Sequence, residues 1–309
     1  MHDSSTRYRG RFAPSPTGPL HFGSLIAAVG SYLDARSAGG AWLVRMEDLD
    51  RRREAKGAAD EILLTLEAYG FEWDGAVMRQ SDRDTAYAAA LERLEREGAV
   101  FPCACTRREV SDSTLGGTIE PVYPGTCSNG MRAGRPARSI RLRVGDAVIS
   151  FRDRLQGEIA QNLASEVGDF VVRRADGPFA YQLAVVVDDF EQGITDVVRG
   201  ADLLASTPRQ ILLQRRLGYP NPRYLHLPVA LNREGDKLSK QTHAAPLELG
   251  EGPLQLWRAL SFLGQEPPRE LAGETTAAVW GWARANWRPQ RIPERRSPEE
   301  PAGEPQTPL

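Results

Sequence analysis

The sequence is poor in the features that mark exported and membrane-spanning proteins. Its 309 residues include three cysteines and no apolar run near the roughly 20 residues that cross a bilayer. The first residues, MHDSSTRYRGRF, lack the apolar core of a signal peptide. Three cysteines in a chain of this length do not make a disulfide scaffold. We therefore expect a cytoplasmic protein without a membrane segment.

An excess of one sign of charge is also missing. The chain has 39 Lys and Arg against 41 Asp and Glu, for a formal net charge of -2. This balance argues against a uniformly basic nucleic-acid-binding protein, although it leaves room for a local basic face. The length corresponds to about two domains, and the 41% of hydrophobic residues can form a buried core.

Strand and helix patterns alternate along the first hundred residues. Residues 8–13 and 41–47 are predicted strands, and the helical pattern between them ends at Gly39 and Gly40. Further helices are predicted over 55–70, 82–98, 207–217, 253–265 and 275–287. The alternation predicts an α/β protein, with a parallel sheet that carries helices on its faces.

The middle and the end of the chain differ from this pattern. Residues 101–165 contain all the cysteines, many glycines and prolines, and a run of arginines, which indicates an inserted module rather than a sheet layer. The apolar run FAYQLAVVVDD, residues 179–189, is predicted to be a buried strand. From residue 289 onward the sequence is rich in proline and glutamate, which predicts a disordered tail.

The first candidate site is the segment PSPTGPLHFGSL, residues 14–25. Its prolines and Gly18 form a loop that leads into a helix beginning near His21, Gly23 and Ser24. The first amides of a helix lack partners within the helix, and its dipole favours anions. The segment therefore suits a phosphate, whereas an ordinary capped helix with a surface histidine is the alternative.

The second candidate site is GDKLSKQ, residues 235–241. Lys237 and Lys240 lie three residues apart with a small hydroxyl residue between them. Such a cationic loop can close over a polyphosphate and neutralise the charge that grows in a phosphoryl or nucleotidyl transition state. Taken alone, two lysines at this spacing are most often a solvated charge pair.

Together, the two segments resemble the HIGH and KMSKS signatures of class I aminoacyl-tRNA synthetases. They stand here as HFGS at 21–24 and KLSKQ at 237–241. Four longer segments, in this order within residues 7–245, resemble the glutamyl-tRNA synthetase group. These segments are RFAPSPTGPLHFGS, LVRMEDLDRRR, FAYQLAVVVDD and VVRGADLLASTPRQ.

The resemblance implies a Rossmann-type class I catalytic core that forms an aminoacyl-adenylate from L-glutamate and ATP, with Mg²⁺ on the ATP phosphates. It assigns glutamate binding to Arg11, Phe12, Ala13, Pro14, Ser15, Glu47, Tyr181 and Arg199. It assigns ATP binding to His21, Gly23, Ser24 and Lys240, with His21, Lys237 and Lys240 as the catalytic residues.

Individual roles follow from the same resemblance. Arg11 is the expected partner of a substrate carboxylate, and Glu47 is expected to hold the α-ammonium group. The alternatives are structural, because Tyr181 could be a core aromatic residue, while Glu47 and Arg199 could form surface ion pairs.

All three cysteines, Cys103, Cys105 and Cys127, fall within 25 residues, which favours a shared role. Three thiolates suit tetrahedral Zn²⁺, and the residue types alone leave the fourth ligand open between water and a remote carboxylate. The spacing Cys-x-Cys followed by Tyr-x-x-x-Cys resembles the zinc site of one branch of the group, the glutamyl-queuosine tRNA(Asp) synthetases. That resemblance implies one zinc per chain with Tyr123 as the fourth ligand, although the segment before Tyr123 is longer than we expect for this branch. A reduced cluster without metal is the alternative.

Arginines cluster near the cysteines. They are Arg132, Arg135, Arg138, Arg141 and Arg143, with Arg51–Arg53 and Arg107–Arg108 adding to them. Such a surface can follow an RNA backbone by releasing counterions, whereas a solvated charged face is the alternative.

The sequence suggests five parts. They are two halves of the catalytic domain at 7–100 and 166–245, the inserted zinc and acceptor-like module at 101–165, a short helical part at 246–288 and a tail at 289–309. The 69 residues after Lys240 are too few for an anticodon-binding region.

This length matches the truncated branch of the group. The resemblance implies transfer of glutamate to queuosine at the wobble position of tRNA(Asp). We expect the chain to act as a monomer. Three alternatives stay open: a minimal enzyme that charges the 3′ end of tRNA(Glu), a non-catalytic module that binds glutamate and ATP, and a nucleotidyltransferase that acts on a small molecule.

Overall fold

The structure of the protein is a computed structural model that describes residues 7–112, 122–131, 133–231 and 245–294. The strands are β1 (Arg9–Phe12), β2 (Ala41–Met46), β3 (Met78–Arg79), β4 (Val100–Cys103), β5 (Ser139–Leu142), β6 (Val148–Asp153), β7 (Gly157–Asn162), β8 (Phe170–Arg173), β9 (Asp196–Gly200) and β10 (Arg223–Leu227). The helices are α1 (Phe22–Ser37), α2 (Ala58–Ala68), α3 (Asp84–Arg96), α4 (Arg107–Asp112), α5 (Leu163–Glu166), α6 (Tyr181–Glu191), α7 (Thr207–Arg216), α8 (Gly252–Phe262) and α9 (Thr276–Asn286).

The first part of the chain forms the parallel α/β unit that the sequence predicts. Strands β1, β2 and β3 are parallel in that order, and α1 connects β1 to β2. Gly39, with φ +63°, ends α1 in the left-handed region that favours glycine. A Cβ on Gly40 would lie 2.4 Å from the carbonyl oxygen of Tyr8, so only glycine lets the chain turn this tightly into β2.

The second parallel pair, β9 and β10, lies beside the first unit. The amide of Thr195 donates to the carbonyl oxygen of Arg9 at 3.0 Å, which ties the start of β9 to β1. Strand β10 also pairs with β6, and β6 pairs with β7 in the antiparallel sense. Helix α7 begins at Thr207 with Pro208 in its first turn, as the sequence predicts.

One prediction for this part is wrong. Residues 181–191 form helix α6, not the buried strand predicted over 179–189. Periodicity does not separate a short apolar run in a strand from one in a helix that is buried nearly all round. In α6 the seven residues from Leu183 to Asp189 are all buried, so the run shows no polar face.

The region between the two parallel pairs contains more sheet than the sequence suggests. Strands β4, β5 and β8 form an antiparallel sheet, and β4 ends at Cys103. Strands β6 and β7 also fall within 101–165, although they join the sheet of β9 and β10. The expectation that 101–165 contains no sheet layer is therefore wrong, because its strands pair with partners that lie far away in the sequence.

The last helices pack against α1 and the residues that follow α2. Trp280 on α9 packs its ring 4.8 Å from that of Tyr32 and 4.9 Å from that of Phe71, centroid to centroid. Its indole N–H donates to the carbonyl oxygen of Tyr69 at 2.8 Å. Residues 289–294, which the sequence placed in a disordered tail, belong to this packed region, because Ile292 is only 3% exposed.

Candidate active site

A cavity of about 640 Å³ opens at the carboxyl ends of β1, β2, β9 and β10. This edge is where α/β sheets bind their ligands, because the loops that follow the strands converge there. Every residue of the described part of the chain that was predicted to bind glutamate or ATP lines it. They are Arg11, Phe12, Ala13, Pro14, Ser15, His21, Gly23, Ser24, Glu47, Tyr181 and Arg199. The predicted Lys237 and Lys240 lie outside the described residues.

Helix α1 points its N-terminus at this cavity. His21 is the N-cap residue, and its Nδ1 accepts a hydrogen bond from the amide of Ser24 at 3.3 Å. Because Nδ1 is the acceptor, the proton of the neutral ring is on Nε2, which lies 3.2 Å from the Ser24 hydroxyl. The histidine therefore caps the helix, as the structural alternative states, and it also lines the cavity.

The chain on both sides of the KLSKQ segment lies against the same cavity. Ala230 lines it, and Pro246 pairs with His21 as an isolated β-bridge. The amide of Leu247 donates to the carbonyl oxygen of Leu20 at 2.9 Å. The segments that carry the two signature-like motifs are therefore joined directly.

Arg11 is held by a buried carboxylate. Its Nε and NH2 donate to the two oxygens of Asp189 at 3.0 and 3.3 Å, and Arg45 NH2 donates to the same carboxylate at 2.8 Å. Arg11 and Arg45 are 3% and 0% exposed. Burial opposes ionisation of Asp189, but the two guanidinium groups outweigh it and lower its pKa. The guanidinium of Arg11 is thus fixed at the floor of the cavity.

Glu47 lies directly after β2, and its backbone amide donates to the carbonyl oxygen of Pro14 at 2.9 Å. Burial raises the pKa of its carboxyl group to about 7, against the opposing effect of Arg45 and Arg11. An ammonium group bound beside it would favour its ionised form.

Arg199 presents a buried cation to the cavity from β9. Its Nε donates to Nε2 of His226 at 3.1 Å, and its NH2 donates to the hydroxyl of Thr207 at 2.8 Å. The remaining nitrogen, NH1, is buried and has no hydrogen-bond partner among the described residues. Tyr181 lies at the first turn of α6, and burial raises its pKa. The charges of Glu47, Arg199 and Arg11 also shift this pKa, so the four side chains surround one space. This arrangement suits a molecule with both an anionic and a cationic group.

The cysteines form a compact cluster at the end of β4. The Sγ atoms of Cys103, Cys105 and Cys127 all lie within 4.8 Å of one another, and those of Cys105 and Cys127 are 3.7 Å apart. Tetrahedral zinc with bonds of about 2.3 Å holds its sulfurs about 3.8 Å apart, so the cluster has the right size. Tyr123 Oη lies 3.4 Å from Cys103 Sγ and accepts a hydrogen bond from the Cys127 amide at 2.8 Å.

Arg141 supports the thiolate form of Cys103, whereas burial and the two neighbouring thiols raise the pKa of Cys105 to about 11. Its Nε donates to Cys103 Sγ at 3.3 Å, and its guanidinium lies 3.9 Å from the centre of the Tyr123 ring. Burial raises the pKa of Cys103, but hydrogen bonds from Tyr123 and Arg141 outweigh this effect and bring it to about 7. Thiolates are the form that binds metal, so the donor set fits zinc.

Some arginines of the predicted basic surface are engaged in contacts with neighbouring side chains. Arg135 pairs with Glu109 at 2.7 Å, and the guanidinium of Arg143 lies over the Phe101 ring. Arg107 and Arg138 are exposed and line a second cavity of about 750 Å³ next to the cysteine cluster. Arg132 lies outside the described residues.

The family model for the catalytic domain of class I tRNA synthetases (E and Q) matches residues 7–263. The chain is 62% identical over 288 residues to a glutamyl-Q tRNA(Asp) synthetase of Dechloromonas aromatica, covering 93% of this chain and 96% of that one. The chain belongs to the glutamyl-Q tRNA(Asp) synthetase family. A second member, from Aromatoleum aromaticum, is 55% identical over 301 residues, which cover 97% of this chain and 95% of that one.

The structural comparison agrees on the fold. A glutamate tRNA ligase of Elizabethkingia meningosepticum, solved in complex with its amino acid, superimposes with a TM-score of 0.79 at 24% identity. The match covers 96% of this chain and 67% of that one. The chain therefore has the α/β catalytic fold of class I aminoacyl-tRNA synthetases. As a member of the glutamyl-Q tRNA(Asp) synthetase family, it is a ligase with glutamate–tRNA ligase-type activity.

Several residues that build this site were not predicted from the sequence. Asp189 holds Arg11 and Arg45, while Asp153 and His226 lie behind Arg199. The available signal was a charged or polar residue inside an apolar run, as in VVVDD and YLHL. Such residues are buried only with a partner, and the sequence does not name that partner.

None of the helices in the described part of the chain combines the length and the apolar character that crossing a bilayer requires.

Proposed function

We propose that the enzyme activates L-glutamate with ATP to glutamyl-adenylate and transfers the glutamyl group to queuosine at the wobble position of tRNA(Asp). The observation that carries the proposal is that Arg199 lines the cavity while its NH1 is buried and lacks a hydrogen-bond partner among the described residues. A buried guanidinium is stabilised by a carboxylate, which it binds through short charge-assisted hydrogen bonds.

Glutamate complements the remaining charges of this cavity. Arg199 and Arg11 receive its side-chain carboxylate, and Glu47 holds its α-ammonium group. Tyr181 lies among these three groups and helps to orient the substrate. The α-carboxylate is then the group that faces ATP.

ATP fits the N-terminal side of α1. The amide of Gly23 and the positive end of the 16-residue helix favour phosphate there. Nε2 of His21, which lies 3.2 Å from the Ser24 hydroxyl, donates to a phosphate oxygen in place of that hydroxyl when ATP binds. Lys237 and Lys240 neutralise the charge that develops on the leaving pyrophosphate, and Mg²⁺ binds with the phosphates of ATP.

The reaction proceeds in two steps. An oxygen of the glutamate α-carboxylate attacks the α-phosphorus of ATP, the bond from that phosphorus to the bridging oxygen breaks, and pyrophosphate leaves. A hydroxyl of the queuosine cyclopentenediol then attacks the adenylate carbonyl. An ester forms, AMP leaves, and the hydroxyl proton passes to solvent. A carboxylate needs no general base, so positioning and charge stabilisation supply the catalysis of the first step.

The specificity for queuosine in tRNA(Asp) is supported by relatives whose names carry this activity and which match this chain over 95–96% of their own length. The exposed Arg107 and Arg138 offer cationic groups for the RNA backbone. The cavity that they line also contains Ala180, the residue before Tyr181, so this surface continues to the active site.

Transfer of radiolabelled glutamate to tRNA(Asp) with and without queuosine tests the proposal. We expect label only on the queuosine-containing tRNA. Transfer that ignores queuosine, or that goes to the 3′ end of tRNA(Glu), would overturn it in favour of a minimal glutamyl-tRNA synthetase. Glutamate and ATP binding without pyrophosphate exchange would indicate a non-catalytic module.

A second test addresses the lysines. We expect Lys240→Ala to abolish glutamate-dependent ATP–pyrophosphate exchange while the protein stays folded. Lys56→Ala is the matched control, because Lys56 is an exposed lysine that does not line the cavity. Exchange that survives in Lys240→Ala would remove this lysine from the mechanism.

We also propose that Cys103, Cys105, Cys127 and Tyr123 bind one zinc ion per chain. Elemental analysis of purified protein should find about one zinc, with a large loss in Cys103→Ser and a smaller loss in Tyr123→Phe. Ser128→Ala is the control, because it alters the same loop without removing a ligand. Fully active wild-type protein without zinc would contradict the ligand set.

A further inference from the structure

His226 links Arg199 to a buried carboxylate without lining the cavity itself. It lies on β10 directly opposite Arg199 on β9, in the register of the two parallel strands. Its Nδ1 lies 2.6 Å from Oδ2 of Asp153, the last residue of β6, and its Nε2 lies 3.1 Å from Nε of Arg199. His226 and Asp153 are 0% and 1% exposed.

The position of the imidazole proton follows from the chemistry of the partners. The Nε of arginine always carries a hydrogen and can only donate, so Nε2 of His226 must accept. The proton therefore resides on Nδ1 and is donated to Asp153. The other oxygen of Asp153 accepts from the amides of Leu155 and Gln156 at 2.9 and 2.8 Å, which fixes the carboxylate as an acceptor.

These contacts determine the orientation of the Arg199 guanidinium. Nε is held by His226 and NH2 by Thr207, so two of the three nitrogens are occupied on the side away from the cavity. NH1 is left as the nitrogen for a ligand, since it has no partner within the described ranges. A planar guanidinium held at two nitrogens has little freedom to rotate, so the direction of NH1 is set before substrate arrives.

We propose that Asp153 and His226 are positioning residues that hold Arg199 ready to bind the side-chain carboxylate of glutamate. This inference rests on the proposed function, because it assumes that Arg199 binds glutamate. This arrangement requires the Nδ1–H tautomer of His226, since the Nε2–H tautomer would place two hydrogens between the ring and Arg199. Neither residue touches the reacting atoms.

Two substitutions at His226 separate the two ends of the ring. The amide of glutamine reaches about as far as Nε2, so His226→Gln keeps an acceptor for Arg199 and loses the donor to Asp153. The shorter amide of asparagine overlaps Nδ1, so His226→Asn keeps the donor to Asp153 and loses the acceptor.

Calorimetric binding of glutamate and steady-state pyrophosphate exchange measure the effect. We expect His226→Asn to raise the Kd and KM for glutamate about 10- to 100-fold, with the KM for ATP unchanged, because one charge-assisted contact to Arg199 is lost. His226→Gln should retain an affinity within about tenfold of wild type. Tyr224→Phe is the control: Tyr224 lies on the same strand as His226, and the substitution removes its buried hydrogen bond to Gln214 on α7 while it leaves the contacts of Arg199 in place.

The outcomes are distinguishable. Equal glutamate affinity in wild type and His226→Asn, with stability lowered in the variant, would show a purely structural role and overturn the positioning proposal alone. Wild-type protein that binds no glutamate would overturn the proposed function and this inference with it. A two-bond ¹H–¹⁵N correlation spectrum of the histidine rings gives an independent readout. We expect the Nδ1–H tautomer for His226 at pH 7, and the Nε2–H tautomer would contradict the assignment.

Discussion

The carboxylate of Glu47 lies 3.5 Å from the guanidinium of Arg45, between Oε1 and NH2, yet its pKa is raised rather than lowered. Burial raises it to about 7, while Arg45 and Arg11 pull in the opposite direction. Arg45 does not fully stabilise the ionised form of Glu47 because its NH2 also donates a hydrogen bond to Asp189. The cavity thus contains a carboxyl group that ionises near neutral pH.

Glutamate binding should therefore strengthen as the pH rises through 7. The ammonium group of the substrate requires the ionised form of Glu47, and that form is depleted by roughly tenfold per pH unit well below the pKa. Calorimetric Kd values for glutamate between pH 5.5 and 8.5, at constant ionic strength, measure the effect. Glu47→Gln should bind more weakly and show a flat profile. A flat profile in the wild type would contradict the prediction.

The stability of the fold should depend on His226 in mildly acidic solution. Burial and the charge of Arg199 lower its pKa to about 4, against the opposing effect of Asp153 and Asp202. The unfolded chain takes up a proton below about 6.5, whereas the folded protein resists it until about pH 4. Stability is thus complete above about 6.5 and is lost as the pH falls toward 4, by about 3 kcal/mol in total.

Urea unfolding at pH 7 and at pH 4.5 measures this loss. The difference between wild type and His226→Gln isolates the contribution of the imidazole, because the other titrating groups are common to both proteins. We expect the wild type to lose more stability than the variant on acidification. Parallel losses in the two proteins would mean that His226 is not kept neutral by the fold.

Asp189 should be among the residues on which the fold depends most. Asp189→Asn removes the negative charge that balances Arg11 and Arg45, both buried. Breaking such a pair leaves uncompensated buried charge and costs about 3–5 kcal/mol. Denaturant unfolding checks this value. The matched control is Asp60→Asn, whose partner is Arg79 and whose side chain is 82% exposed; its stability should stay close to that of wild type.

Gly168 should control zinc binding from outside the cluster. It has a φ of +71°, and a Cβ there would lie 2.5 Å from the backbone oxygen of Tyr123. Gly168→Ala therefore combines backbone strain with displacement of the Tyr123 loop, and we expect both lower stability and weaker zinc retention against a chelator. Gly145→Ala is the control, because Gly145 has a φ of +55° and nothing within 4 Å. It should lose about 1–2 kcal/mol of stability and retain zinc. Equal zinc retention in both variants would show that this contact does not support the site.

The first half of the fold was predictable because local signals agree there. The helical spacing of α1, the glycines that end it and the alternation with β1 and β2 all indicate one arrangement. The run that became α6 was misread because its buried residues surround the helix and hide its period. In that case tertiary packing, rather than local pattern, selects the helix.

The lining of the candidate site was predicted residue by residue from the family resemblance, whereas the groups behind it were not. Arg11, Glu47 and Arg199 stand in recognisable motifs. Asp189, Asp153 and His226 act through pairs that bring together strands and helices distant in the sequence. Only the fold shows which buried polar residue meets which, so these supporting pairs could not be read from spacing.

The hydrogen bond from the amide of Leu247 to the carbonyl oxygen of Leu20 has a consequence for the order in which the enzyme folds during synthesis. The loop that it closes spans most of the chain, although the entropic cost of closure grows only slowly with loop length. A nascent chain can assemble β1, α1 and β2 early, because their contacts are local. The cavity wall at His21 stays open until residues 246 and 247 emerge from the ribosome. The order of synthesis therefore makes substrate binding one of the last properties that the protein acquires.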